Sequence, residues 1–70
     1  MSFYDWLLKF KEVDLPIGDL AKDAEKDDTF PKESVEWNEI EKHLSPRANE
    51  SVMDVAQNDF NYYSADMLDN

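Results

Sequence analysis

Ser2-Phe3-Tyr4-Asp5-Trp6-Leu7-Leu8-Lys9-Phe10 is the stretch that decides the fold. Phe3, Trp6, Leu7 and Phe10 recur at i, i+3, i+4 and i+7, which is one face of an α-helix and not the alternation of a strand. Ser2 stands where an N-cap is wanted, and Asp5 three residues on makes a weak capping box, Asp replacing the usual Glu or Gln. Tyr4 and Leu8 widen the apolar stripe, so this helix is expected to be central and covered on more than one side. Val13-Asp14-Leu15-Pro16 ends it, because proline lacks the N–H that the helical ladder needs.

Three further helices follow from the same reading. Ile17, Leu20, Ala21 and Ala24 predict a second helix from Ile17 to about Asp27, with two alanines that let a neighbour approach closely. Its acidic end, Asp27-Asp28, opposes the macrodipole and is expected to fray. Phe30-Pro31-Lys32 is a connector in which Phe30, held extended by the following proline, plugs a gap in the core. Ser34 is expected to cap a third helix bearing Val35, Trp37, Ile40, Glu41 and Leu44, closed by Ser45-Pro46. Pro46 can also open the next helix with Ser45 as its cap. The best-defined fourth stretch runs from about Glu50 to Leu68. Val52, Ala56, Phe60, Tyr63 and Met67 form its stripe, flanked by Met53, Val55, Tyr62 and Leu68. No strand-like alternation persists, and Gly18 is the only glycine. The expected architecture is all-α: a compact four-helix bundle forming a single domain over residues 1–70.

Size and composition bound the function. A chain of 70 residues buries only about 60% of its unfolded surface, so a dense core must come from its four Phe, three Tyr and two Trp. Without cysteine, neither disulfides nor thiolate zinc sites arise. The opening has no basic n-region or apolar h-region, and no apolar run approaches the roughly 20 residues of a membrane span. A soluble, cytoplasmic protein is expected. Seventeen acids against seven bases give a formal charge of −10, and no Lys or Arg occurs after Arg47. That charge repels nucleic acid and anionic membranes at long range. It reads as a solvated acidic surface or, more pointedly, as a face for a basic partner.

Catalytic and metal motifs do not assemble. His43 is the sole histidine, and near a helix end an imidazolium suits the dipole, a structural or surface role. Ser34 and His43 lack the nucleophile elbow that would make a triad with an aspartate. Asp23, Asp27 and Asp28 do not follow the EF-hand order. Glu36, Glu39 and Glu41 are spread around their helix. No enzyme, cofactor or metal is expected. The basic residues are scattered, and only Lys9, Lys11 and Lys32 could gather into a local patch if the first helix end and the Phe30 loop are neighbours.

Ser2-Phe3-Tyr4 with Trp6-Leu7, then Leu20-Ala21 and Ala24, Asp28-Thr29-Phe30-Pro31-Lys32, and Ile40 with Leu44, resembles the YozE-like family over residues 2 to about 48. The resemblance implies a sterile-alpha-motif-like fold and an origin in Gram-positive bacteria, and it supplies no catalytic residues to carry over. In the last helix Phe60 stands where the family's pattern implies a Trp. The leading expectation is a non-enzymatic module for a protein partner, using the acidic C-terminal helix around Glu50, Asp54, Asp59 and Asp66. The alternatives are nucleic-acid binding through the local basic patch and an acidic DNA mimic. Trp37, Tyr62 and Phe30 are the rings whose exposure would mark a binding surface.

Overall fold

The computed structural model describes residues 1–68. Four helices appear in order: α1 Phe3–Leu8, α2 Pro16–Lys26, α3 Trp37–Leu44 and α4 Glu50–Leu68. The last and longest helix touches the other three, and α1 also packs on α2. Among the described residues there is no strand.

α1 begins as its sequence dictates. The Ser2 hydroxyl accepts from the Asp5 N–H at 3.2 Å, satisfying one donor that the helix start would leave unpaired. The helix proper is shorter than its apolar stripe, and the chain tightens after Leu8. Lys9, Phe10 and Lys11 each donate to the carbonyl three residues back. The tightening keeps Phe10 on the same side, its ring 4.8 Å from that of Trp6.

Pro16 does not stop α1, against the expectation from the sequence: α1 has already ended at Leu8, and Pro16 opens α2 instead. It occupies the first turn of α2, where its fixed φ is pre-organised and its missing N–H costs nothing. Two residues on, Gly18 sits where a β-carbon would fall inside the contact distance of the Val13 carbonyl and crowd that of Phe10. Its φ is not positive, so the requirement is for space and not for an unusual backbone angle. Gly18 therefore lets the α1–α2 loop lie directly on the start of α2. Leu20, Ala21 and Ala24 face inward as expected.

The end of α2 is tied down, not frayed. One oxygen of Asp27 accepts from the Thr29 N–H at 3.0 Å and its hydroxyl at 2.7 Å. The other meets His43 Nε2 at 2.6 Å, linking the end of α2 to α3. The Thr29 hydroxyl and the His43 ring, followed by the Thr29 amide, hold the Asp27 carboxyl well below the usual carboxylate range. Phe30 is buried as expected, its ring 5.7 Å from Tyr4 and 5.4 Å from His43.

Ser34 is not the cap of α3. Glu36 holds that position without a side-chain cap bond. The Ser34 hydroxyl instead accepts from the Glu36 N–H at 3.2 Å and donates to the Glu39 carboxylate at 2.6 Å. Its carbonyl receives the Phe3 N–H at 3.2 Å, fastening the connector to α1. Val35, expected in the helix, lies before it and is exposed. At α4 the cap is Asn49, not Ser45: Asn49 Oδ1 accepts from Val52 N at 2.9 Å.

Phe3, Leu7 and Ile40 are the largest side chains that are fully enclosed, each contributing about 1.5–3 kcal/mol by leaving water. Gly18→Ala is expected to destabilise the fold by at least about 2 kcal/mol, because the backbone clash outweighs the roughly 1 kcal/mol that alanine gains in helix propensity. Chemical denaturation would measure it; an unchanged or raised stability would mean that the loop is not seated on α2 as described.

Candidate functional site

The site forms where α1 is clamped to α4. Phe3 presents its ring to Phe60 at 5.1 Å and Tyr63 at 5.6 Å, both on α4. Trp6 stacks beside it and donates its indole N–H to Asp66 Oδ2 at 2.9 Å. Tyr63 donates its hydroxyl to the Met1 carbonyl at 2.6 Å. These contacts fix the angle between the helices, and the α1–α2 loop closes the remaining side.

Between them lies an apolar groove of about 670 Å³ lined by Trp6, Phe10, Val13, Leu15, Ile17, Tyr62, Ala65 and Asp66. It continues past Tyr62 into a hollow of about 320 Å³, where Pro16, Val55, Asn58 and Asp59 join Leu15 and Ile17. Leu15 is 61% exposed and Tyr62 69% exposed. Two large side chains standing open on one rim contrast with the enclosed rings beneath them. Of the three rings singled out in the sequence, Tyr62 is the one left on the surface. Trp37 is half-buried, its ring 5.6 Å from Phe60, and Phe30 is buried.

The four acids expected to share one face of α4 do not. At about 100° per residue, Asp59 and Asp66 fall on the groove side and Glu50 falls opposite Asp59; Glu50 and Asp54 are exposed and line neither the groove nor its hollow. Asp66 accepts the Trp6 indole. Asp59 is only 7% exposed, and among the described residues its Oδ2 atom has no hydrogen-bond partner. Loss of hydration pushes its carboxyl up from 3.8 to about 6. Sequence reasoning took Asp59 as a surface charge, yet its spacing carried the signal. It follows Ala56 by three and precedes Tyr63 by four, which sets it at the edge of the apolar stripe.

Two of the three lysines of the expected basic patch have other engagements. Lys11 pairs with Glu25 at 3.1 Å. The Lys32 ammonium lies 5.6 Å from the centre of the Tyr4 ring, so the Phe30 loop does neighbour α1. Lys9 is exposed.

A family model for the YozE SAM-like fold matches residues 2–65. The chain belongs to the YozE SAM-like fold family. No curated protein and no solved structure matches it significantly. The YozE match runs through most of α4, beyond the residues that carried the resemblance in the sequence. Phe60, standing where the YozE pattern implies a Trp, still fills its place between Phe3, Trp37 and Tyr63. Within this YozE domain the helices are common property of the fold, and function rests on the site grafted onto them.

Because Asp59 holds its proton more tightly when folded, its contribution to stability falls as pH rises from about 4 to about 6. Above that window the penalty is complete. Asp59→Asn is therefore expected to stabilise the protein by about 1–2 kcal/mol near pH 8, after allowance for solvent in the open groove. The gain should vanish near pH 3.5, where the carboxyl is protonated in both states. Melting curves across this range check it; a destabilised variant at pH 8 would mean that the carboxylate makes a bond the structure does not show.

Proposed function

We propose that the protein is a non-enzymatic, cytoplasmic protein-interaction module that takes a segment of a partner protein into the groove between the α1–α2 loop and α4. The observation that carries this reading is the paired exposure of Leu15 and Tyr62 over an apolar floor formed by Trp6, Phe10 and Ile17. In a chain with 34% charged residues, two such side chains on one rim form an exposed apolar surface that a second protein would cover. Tyr62 is suited to anchor such contacts, since its ring is apolar and its hydroxyl stays wet.

This moves the expected docking face. Glu50 and Asp54 line neither the groove nor its hollow, so they lie outside the proposed contact. No helix among the described residues is long and apolar enough to cross a membrane, and the partner is taken to be a protein in solution.

Peptides selected from a random display library on the native protein test this. Binders are expected to lose at least about tenfold in affinity on Leu15→Ala/Tyr62→Ala and to retain it on Glu50→Gln/Asp54→Asn. Binders insensitive to the first pair and sensitive to the second would return the interface to the outer acidic face and sink the groove reading.

A further inference from the structure

The groove has one feature that a purely apolar docking site would not need. Asp59 lies in the floor of its inner hollow, more than nine-tenths buried, with Oδ2 unpartnered among the described residues. A carboxylate in such surroundings is costly unless a donor reaches it. The lining of both lobes includes no Lys, Arg or His that could do so. The chain itself offers no Lys or Arg anywhere after Arg47, so α4 has no cationic donor of its own, and Asn58, which lines the same hollow, leaves Asp59 Oδ2 unpartnered. Asp66, across Tyr62, adds a second negative charge at the other end.

From this geometry we infer that the groove recognises a basic amphipathic protein segment, one Lys or Arg of which reaches Asp59 between two apolar side chains. The inference rests on the reading of the protein as a groove-binding module and gives the occupant its chemistry. One apolar side chain seats against Trp6 and Phe10, and the other against Ile17 and Val55. Leu15 and Tyr62 flank both lobes and rotate to admit the cationic stem, whose methylenes cover them while its head meets the carboxylate. Charge complementarity decides the choice of occupant. A neutral segment leaves Asp59 buried and unpaired, and an acidic one places like charges together in a poorly hydrated site. Nucleic acid would bring phosphates to the same two carboxylates and is repelled there.

Three short capped peptides test the proposal, identical except for a central Lys, norleucine or Glu, with Leu and Phe on either side and Ser and Gln outside. Each is titrated into the full-length, ¹⁵N-labelled protein at low salt. The Lys peptide is expected to shift the amides of Asp59, Tyr62 and Leu15 and to bind at least about tenfold more tightly than the norleucine peptide. The Glu peptide should not bind. Asp59→Asn, an isostere expected to fold at least as well, should bring Lys and norleucine peptides to similar affinity, whereas Asp54→Asn should leave the preference intact. Equal affinities at the groove of the native protein would overturn the cation preference while leaving groove docking in place. Preference lost equally in Asp54→Asn would show bulk charge at work and also overturn the assignment to Asp59. No binding by any peptide, or shifts confined to the second exposed apolar patch, formed by Met1, Val35 and Leu68, would overturn the proposal and the groove reading together.

Discussion

The wedge made by Phe3 organises this molecule. Its ring is wholly enclosed, in contact with Trp6 on its own helix and with Phe60 and Tyr63 on α4. Such aromatic pairs add about 0.5–1.5 kcal/mol beyond the area they bury, and here they also set an angle. With α1 held on α4, the Trp6 indole reaches Asp66 and the Tyr63 hydroxyl reaches the Met1 carbonyl. With the end of α1 placed, the loop to α2 has little freedom, and Gly18 lets it settle against α2 itself. The groove is what these constraints leave open.

That geometry gives Asp59 its character. On an isolated helix it would be one more solvated acid among seventeen. Packed beside Leu15, Pro16 and Ile17 it loses water and gains no donor from the described residues. Folding stability is reduced by keeping it, and costs of this kind gather where a surface awaits a partner. The contrast with Asp27 shows how much depends on neighbours. Asp27 is bound by Thr29 and His43 and shifts downward, while Asp59 lacks a partner and shifts upward.

The sequence made much of the fold legible. The stripes through Phe3, Trp6 and Phe10, and through Ala56, Phe60 and Tyr63, are period-3.6 signals strong enough to place α1 and the full extent of α4. Local chemistry was harder to read. Ser34, Ser45 and Asn49 are all residues that cap helices, and only the tertiary path decides which one does. Ser34 is drawn instead to Glu39, and its carbonyl to the Phe3 N–H. The site was the least legible part, because part of its wall is the loop residues Val13 and Leu15, which have no periodicity to read. The acids of α4 were visible as residues, but which of them turns towards that wall depends on how α1 docks.

The account stands on the claim that packing α1 and its loop against α4 leaves a buried, unpaired carboxylate at Asp59. A ¹³C-detected NMR titration of the side-chain carboxyls reports on it directly. The account predicts that Asp59 titrates near 6. An Asp59 midpoint at or below about 4 would contradict it, showing a carboxylate that is hydrated or already paired.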